Sequence, residues 1–460
     1  MNKSSLALAI AVGVLAQQAG AAGFLEDSKL NLSSRTFYYE NDNHAPSVTQ
    51  NNQRETGEVL KLDYISGFTP GTIGVGVDAQ MLYGLHLDGG SGHHPATGNS
   101  FWPSEHDGSA VDDLARGDAN VKFRYSKTEL HVGGALAPQL PILLSNDSRA
   151  MPQNFDGGII TSKDIDNVTL VAGQLEHSTG RASTNSTGLS VAGAYNNSNQ
   201  FRFAGGDWKV TKDLTLQYYH ANLEDFYKQD FLGLVHVLPL GNDQSFKTDL
   251  RYFNSRSAGK NSSGTAGYAF NNNGGYADNA GEVNNKTWSS IFTYQLGGNS
   301  FLAGYQSVSD SGGFVLLNQG NVSTDGKPAG ALNSEDNGGT SFYLFTDSMV
   351  NGFIRAGEKT KFAQYAYDFS RIGVPGLKAS ITYLKGDDIK SSLAGSSQTF
   401  SEWERDARID YVIQTGYLKG FGTTLRTGSY HVGGDTTVGN GGTRSTDQTR
   451  LIFNYTYAFF

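Results

Sequence analysis

Apolar and polar residues alternate along several long segments of the chain. In segment 72–88 one face carries Ile73, Val75, Val77, Ala79, Met81, Tyr83, Leu85 and Leu87. The opposite face consists of polar residues and glycine, with Leu82 as the exception. A period of two predicts a β-strand, and this run is longer than the roughly five to six residues of an ordinary globular strand.

The same alternation recurs in segments 30–38, 121–126, 214–219, 408–414 and 450–459, where aromatic residues gather near the strand ends. Polar stretches rich in glycine and asparagine separate the strands at 41–53, 89–113, 255–285, 320–340 and 433–448, and shorter turns alternate with them. Long loops on one side and tight turns on the other are typical of a transmembrane barrel. The pattern therefore predicts an all-β protein, a transmembrane antiparallel β-barrel.

Residues 1–22 have the features of a secretory signal peptide. Lys3 precedes an apolar run from Leu6 to Ala16, and small residues follow as far as Ala22. This run is too short to cross a bilayer as a helix. We therefore expect a cleaved leader at 1–22 and a barrel at 23–460, in the cell outer membrane of a Gram-negative bacterium.

Composition excludes several classes of protein. The 460 residues include no cysteine, so disulfides are absent, and the net charge of −9 argues against a nucleic-acid partner. Only 38% of the residues are hydrophobic, which suits a barrel because only alternate strand residues meet lipid. The expected partners are small solutes, outer-membrane lipid and lipopolysaccharide, and the barrel-assembly machinery, which would read the aromatic C-terminal strand.

One stretch, 130–161, differs from the rest. It contains three of the ten prolines, Pro138, Pro141 and Pro152, beside the apolar run Ile142-Leu143-Leu144. Proline has no place in a central strand, and an apolar loop is unusual because loops normally face water. We therefore expect this loop to fold into the barrel lumen and to narrow it.

Ordered segments of the chain resemble the OprD-type family of substrate-specific outer-membrane porins. The loop sequence PILLSNDSRAMPQNFDGG, which starts at Pro141, is similar to the family's constriction loop. Further matching segments, in chain order, are GFLEDSKLNL at Gly23, SGFTPGTIGVGVDA at Ser66, VKFRYSKTEL at Val121, LEDFYKQ at Leu223, GEKTKFAQYAYDF at Gly357, YVIQTG at Tyr411 and RLIFNYTYAFF at Arg450. The resemblance implies an eighteen-stranded monomeric barrel whose third extracellular loop folds inward, and a ladder of basic residues that guides small carboxylate-bearing solutes.

The resemblance places the ladder only in part. It assigns Arg149 in the loop and Arg426 and Arg450 on the last strands. Thr424 stands where the family usually has a second arginine, and Asp410 stands where a lysine is expected, although Arg408 on the same face is a possible substitute. Gly352 occupies the place of an acidic residue. The consequence is an expected eyelet that is less basic than the family pattern.

The complete set of expected pore-lining residues is Arg149, Arg426, Arg450, Arg408, Asp147, Ser148, Lys122, Arg124 and Arg35. Fixed arginine forks compensate a carboxylate for its lost hydration. The competing interpretation is a salt bridge within the barrel wall, and it is favoured for Lys122, Arg124, Arg35 and Arg408. For Asp147 and Ser148, pinning of the loop is the favoured role.

We therefore expect a passive porin for small polar solutes, chiefly carboxylates such as amino acids or aromatic acids, with no cofactor and no catalysis. The alternatives are a chitoporin-like channel for neutral oligosaccharides, an outer-membrane protease or phospholipase, and a purely structural or adhesive barrel. No metal site is expected, because His93, His94 and His106, with Glu105 and Asp107, fit a solvated loop. The same interpretation applies to the carboxylates Glu402, Glu404 and Asp406.

Overall fold

The computed structural model describes residues 23–44, 52–89, 92–95, 99–105, 107–319, 339–434, 439–440 and 443–460. The predicted signal peptide lies outside these ranges. The strands are, in chain order, β1 (Lys29–Asn43), β2 (Asn52–Ile65), β3 (Gly74–Asp88), β4 (Asp113–Tyr125), β5 (Thr128–Leu136), β6 (Gln139–Leu140), β7 (Leu143–Leu144), β8 (Asn154–Ser162), β9 (Val168–Thr179), β10 (Ser186–Ser190), β11 (Phe201–Lys209), β12 (Leu214–Leu223), β13 (Tyr227–Gly241), β14 (Gln244–Ser257), β15 (Asn284–Leu296), β16 (Asn299–Val308), β17 (Asn318–Gln319), β18 (Lys359–Asp368), β19 (Leu377–Lys390), β20 (Thr399–Val412), β21 (Gly422–Val432) and β22 (Thr446–Ala458). Two short 3-10 turns lie at Asn272–Gly274 and Phe369–Ile372.

Eighteen of these strands form one closed antiparallel barrel, and β6, β7, β10 and β17 are short strands in the loops. The ring closes where β1 pairs with β22, from Asn31 opposite Ala458 to Asn43 opposite Thr446. Closure leaves no unpaired strand edge, which is what a β-structure needs in hydrocarbon. The predicted all-β fold and the strand number are confirmed. Within the described ranges no helix is long and apolar enough to span a membrane.

The two ends of the barrel differ. One end has short turns, such as 126–127, 242–243 and 297–298, and the other has the long connections 89–112, 137–153, 180–200, 258–283 and 309–358. In bacterial outer-membrane barrels the short turns face the periplasm and the long loops face outward. The connection 137–153 is therefore the third extracellular loop, and we call it the inward loop. The connection 309–358 is the seventh.

The strand faces follow the predicted alternation. On β3 the apolar face is turned outward, and Met81 is 62% exposed. Leu82, the apolar residue on the polar face, is buried in the lumen against Phe101 and Trp102 of the second extracellular loop. The exception in the pattern thus has a physical cause, because this side chain packs against a loop that enters the barrel.

The inward loop packs against the inner wall. Ile142 and Leu143 are buried in a cluster with the lumenal rings of Phe155, Phe231 and Phe253. Burial of an aliphatic side chain contributes about 1.5–3 kcal/mol, so this short run holds the loop inside. The apolar residues therefore meet lumenal aromatic rings instead of water.

Gly57 and Gly84 make room for the Trp102 ring. We expect Gly57→Ala to destabilise the barrel. A Cβ at Gly57 would lie 2.7 Å from Trp102 Cζ3, and Trp102 is fully buried. Overpacking of this kind costs about 1–3 kcal/mol. Urea unfolding of the refolded barrel in lipid vesicles, followed by tryptophan fluorescence, measures the change.

Gly117→Ala is the matched control for that substitution. A Cβ at Gly117, on β4, would have its nearest contact at 3.6 Å, to Gln80 O, which is an ordinary van der Waals separation. This variant is expected to unfold at the same urea concentration as the parent or slightly above it. Equal midpoints for the two variants would contradict the packing role of Gly57.

Candidate functional site

A cavity of about 220 Å³ lies between the inward loop and strands β1, β20, β21 and β22. Six of the nine residues predicted from the sequence line it: Arg35, Asp147, Ser148, Arg408, Arg426 and Arg450. Thr424 and Asn454 also contribute to its wall. Residues far apart in the chain are thus brought to one place, where four guanidinium groups surround a small polar volume.

Three of these arginines form a row across neighbouring strands. Arg408 of β20 lies opposite Arg426 of β21, which lies opposite Arg450 of β22. Like charges directly opposite each other in a sheet are destabilising. The row therefore depends on fixed acceptors nearby, and its repulsion falls when an anion enters.

The seventh extracellular loop supplies acceptors for two members of the row. Arg426 Nη2 donates to Ser348 O at 2.6 Å, and Arg450 Nη2 donates to Met349 O at 2.6 Å. Arg450 Nε also donates to Gln448 Oε1 at 2.7 Å. These contacts fix both guanidinium planes at the cavity wall, and they neutralise neither charge because the partners are uncharged.

Arg408 is paired with a carboxylate instead. Its Nε and Nη2 donate to the two oxygens of Asp410 at 2.7 and 2.9 Å, and Thr424 Oγ1 donates to Asp410 Oδ1 at 2.7 Å. Asp410 and Thr424 are the two departures from the family's basic pattern, and they contact each other. The favoured prediction of a wall salt bridge holds for Arg408, which also lines the cavity.

The inward loop is tied to β1, the strand that adjoins β22 in the wall of the cavity. Arg35 donates to Asp147 through Nη1 at 2.6 Å and through Nη2 at 3.0 Å, and Nη1 also reaches Arg149 O at 3.0 Å. Asn146 Oδ1 accepts from Ser148 N at 3.1 Å. Asp147 thus pins the loop, as favoured from the sequence, and Arg35 forms the expected ion pair while lining the cavity.

Arg149 lies beside this cavity, stacked on an aromatic ring. Its guanidinium is 4.8 Å from the centre of the Tyr39 ring, and Nη1 donates to Ser148 O at 3.0 Å. Stacking of this kind suits a planar guanidinium. Arg181, which the sequence did not indicate, donates to Ser148 Oγ at 2.8 Å and adds another positive charge near the loop.

Lys122 and Arg124 lie elsewhere, at the periplasmic end of β4. Lys122 Nζ pairs with Asp78 at 2.6 Å, and the Arg124 guanidinium lies 4.2 Å from the centre of the Phe68 ring in the turn 66–73. The structure does not bring these two residues to the cavity. The competing interpretation from the sequence, a wall salt bridge, holds for Lys122.

The seventh loop is anchored by carboxylates of β20, for which the prediction of a solvated loop is wrong. Glu402, Glu404 and Asp406 are lumenal residues of β20 and are buried, although solvated loop positions were expected. Glu404 accepts from the backbone N–H groups of Met349, Val350 and Asn351 at 3.1, 3.0 and 2.7 Å. Glu402, Glu404 and Asp406 continue at a spacing of two residues to Arg408 and Asp410. In a strand this spacing puts all five side chains on one face, so the sequence does contain a signal for their lumenal position.

A buried ion pair completes the anchor. Arg355 of the loop contacts Glu402, and Arg355 N donates to Glu358 Oε2 at 3.1 Å. Burial raises the pKa of the Glu358 carboxyl well above its usual range, and the neighbouring Glu402 raises it further. One guanidinium therefore lies against two buried carboxyl groups, and the raised pKa favours the neutral form of Glu358.

The match to known proteins extends over nearly the whole chain. The model of the outer membrane porin, OprD family, matches residues 22–459. The chain belongs to the OprD family of outer-membrane porins. It is therefore a porin of the Gram-negative outer membrane, and its relatives are channels and not enzymes.

Solved structures of Pseudomonas aeruginosa porins share its architecture. OccK8 (OprE) is 42% identical with a TM-score of 0.81, OpdK solved with vanillate is 27% identical with a TM-score of 0.77, and OccK2 (OpdF) in complex with glucuronate is 29% identical with a TM-score of 0.74. Each match covers 95% of this chain and 100% of the other. The OprD-type resemblance predicted from the loop sequence is confirmed.

Proposed function

We propose that this porin mediates passive diffusion of small carboxylate-bearing solutes, such as amino acids or aromatic acids, past a constriction formed by the inward loop. The observation that carries this proposal is the row of Arg408, Arg426 and Arg450, which lines the same cavity as Arg35 of the neighbouring strand β1. Contacts with lipopolysaccharide and, through β22, with the barrel-assembly machinery remain predictions.

The chemistry of the cavity suits a carboxylate. An anion that enters a narrow passage loses hydration, and fixed guanidinium groups replace the lost hydrogen bonds. The planar fork of arginine can bind both oxygens of a carboxylate and stays charged. Because several arginines lie along the wall, a solute can pass from one to the next, and each contact stays weak enough for release.

Two relatives support this class of solute. Vanillate and glucuronate, named with OpdK and OccK2, each carry one carboxylate. The alternative of a neutral oligosaccharide needs exposed aromatic rings on which sugars stack. Among the described residues lining the cavity, the one aromatic side chain is Phe37, and it is only 1% exposed. The cavity therefore favours carboxylates.

Single-channel recording in planar bilayers tests the proposal. Benzoate or vanillate should block the current in a concentration-dependent way, whereas a neutral chitooligosaccharide of similar width should not. The reversal potential in a salt gradient should show anion preference. A barrel that does not conduct, or one that oligosaccharides block and carboxylates leave open, would overturn it.

Asp147→Asn is expected to strengthen the block of the current by carboxylates. The replacement keeps the shape of the side chain, removes a negative charge from the cavity, and releases the Arg35 guanidinium from its ion pair. Two unit charges about 4 Å apart in water interact by about 1 kcal/mol. Removal of the repulsion between Asp147 and an entering carboxylate should therefore strengthen the block roughly fivefold. Bilayer titration of the block constant measures this change.

Asp166→Asn is the matched control. This carboxylate is 92% exposed at the periplasmic turn 163–167, where it lies 3.8 Å from Lys127. Its removal changes the net charge of the chain by the same amount and should leave the block constant unchanged. A shift of equal size in both variants would mean that overall charge, and not the cavity, governs block.

A further inference from the structure

Three ligating side chains meet at the extracellular end of the barrel, outside the cavity described above. Glu55 of β2, His86 of β3 and His94 of the second extracellular loop place their ligand atoms within 4.8 Å of one another. Glu55 Oε1 lies 2.5 Å from His94 Nδ1 and 3.3 Å from His86 Nε2. The side chains of Glu55 and His94 are buried, with exposed fractions of 0% and 6%, and the side chain of His86 is 12% exposed.

We propose that Glu55, His86 and His94 bind a divalent transition-metal ion of the Zn²⁺ class, with a fourth position left for water. Two imidazoles and one carboxylate are a donor set that Zn²⁺ accepts, and imidazole also suits Cu²⁺ and Ni²⁺. Bonds of about 2.0–2.2 Å hold neighbouring donors roughly 3–4 Å apart. The separation of 3.3 Å between Glu55 Oε1 and His86 Nε2 already fits this spacing. The separation of 2.5 Å between Glu55 Oε1 and His94 Nδ1 is shorter and has to lengthen when the ion binds.

In His94 and Glu55 the polar atom that does not face the proposed ion is hydrogen-bonded to a neighbouring side chain, as is usual for metal ligands. His94 Nε2 lies 2.8 Å from Ser104 Oγ, and Glu55 Oε2 accepts from Asn99 Nδ2 at 3.0 Å and from Gln53 Nε2. The Asn99 amide is oriented unambiguously, because its Oδ1 accepts from Phe101 N at 2.8 Å. Glu55 therefore turns one oxygen to its hydrogen-bond donors and the other to the two histidines.

One of the two tautomers of His94 leaves a place for a cation between these groups. When His94 Nε2–H donates to Ser104 Oγ, His94 Nδ1 presents a lone pair to Glu55 Oε1. Two lone pairs at that separation repel each other unless a proton or a metal ion lies between them. A buried carboxylate also needs a compensating charge. A divalent ion supplies both requirements for all three ligands at once.

The surroundings shape a closed site. The Trp102 ring lies 5.6 Å from the His86 ring, and a Cβ at Gly89 would approach His86 Cε1 to 2.6 Å. Glycine at position 89 thus leaves His86 free to face the carboxylate. An apolar wall of this kind limits access of water and strengthens bonds between the ion and its ligands.

The proposed site also braces the inward loop. Asn99, which holds Glu55, accepts from the backbone of Phe101 and Trp102, and both rings are buried in a cluster with Met151 of the inward loop. A bound ion would join β2, β3 and the second extracellular loop. It would stabilise the surface on which the constriction rests, because a ligand that binds only the folded state raises its stability.

The sequence does not predict a metal site here, because the histidines that stand out in it are those close together in one loop. His93 interacts with Asn52 O through Nδ1 at 3.3 Å, and His106 lies outside the described residues. The two residues that complete the site with His94 lie on strands β2 and β3 and not in its loop. Glu55 precedes it by 39 residues and His86 by eight, so spacing along the loop could not indicate the cluster.

Metal titration of the full barrel in detergent, after treatment with EDTA, tests the site. Calorimetry should show one Zn²⁺ per chain, and Co²⁺ should give the visible absorption bands of a four-coordinate ion. His86→Gln, His94→Gln and Glu55→Gln should each abolish this stoichiometric binding. Ser104→Ala, which removes only a supporting hydrogen bond, should weaken affinity by roughly tenfold or more.

His93→Gln is the matched control and should bind Zn²⁺ as the parent does. The heat-modified mobility of each variant in gel electrophoresis verifies that the barrel has folded, and Ser104→Ala gives a second reading if a ligand variant does not fold. Absence of saturable binding would overturn the proposal. Equal affinity in the parent and in folded His94→Gln would overturn it as well.

Discussion

Arg426→Ala is expected to lower the anion preference of the channel and to weaken carboxylate block by about tenfold to a hundredfold. Arg426 is the central member of the arginine row, so its loss removes a fork that both neighbouring arginines flank. Hydrogen bonds to charged groups contribute about 1.5–3 kcal/mol, which corresponds to this range in a dissociation constant. In planar bilayers the reversal potential measures the anion preference, and titration with benzoate measures the block constant.

Arg426 also holds the seventh loop through Ser348 O, so two companion variants separate charge from anchoring. Arg426→Lys keeps the charge without the planar fork and should give an intermediate block constant. Arg124→Ala removes a guanidinium from the periplasmic end, where it stacks on Phe68. This variant should change neither the anion preference nor the block constant. If Arg426→Ala raises the open-channel conductance while block stays at the parental value, the residue is only a loop anchor.

Arg355→Ala is expected to lower the free energy of unfolding by about 3–5 kcal/mol. The side chains of Arg355 and Glu402 are 4% and 0% exposed, so removal of the arginine leaves a buried carboxylate without its cation. Asn351 Nδ2 donates to the same carboxylate at 2.5 Å, so the seventh loop should also loosen and the current should become noisier. Urea unfolding in vesicles and bilayer recording measure the two effects.

The control for Arg355 is an exposed ion pair between β18 and β19. Lys359 Nζ lies 2.8 Å from Asp388, and the two side chains are 50% and 55% exposed. Exposed pairs contribute about 0–1 kcal/mol, so Lys359→Ala should be nearly silent. The double replacement of Arg355 by Ala and Glu402 by Gln should recover much of the lost stability. If Arg355→Ala is as mild as Lys359→Ala, the buried pair does not anchor the loop.

The strands and their faces could be predicted from the sequence because each depends on residues two positions apart. Arg35 and Arg408 were placed on the lumenal side by parity alone, Arg450 was assigned through the family resemblance, and the inward loop was recognised by its apolar run and prolines. Parity says nothing about the height of a side chain along the pore. Lys122 and Arg124 therefore entered the expected set although they lie at the periplasmic end.

The loop contacts could not be predicted in this way. Arg35 meets Asp147 across 112 residues, and Arg450 meets Met349 across 101. Such pairs depend on the path of a long connection inside the barrel, which no local period encodes. Glu404 illustrates the cost of treating a segment by composition alone, because a carboxylate expected in water captures three backbone N–H groups of the seventh loop.

The wall of the cavity has a consequence for biogenesis. It is built from β1 and from β20 to β22, the first and the last strands to be synthesised, and Arg35 Nε donates to Asn454 Oδ1 at 3.1 Å across the seam between the chain ends. The passage therefore acquires its charge pattern only when the final hairpin joins the first strand. Before that step Arg450 and Asn454 do not lie beside Arg35, so sealing of the barrel and completion of this charged wall are one event.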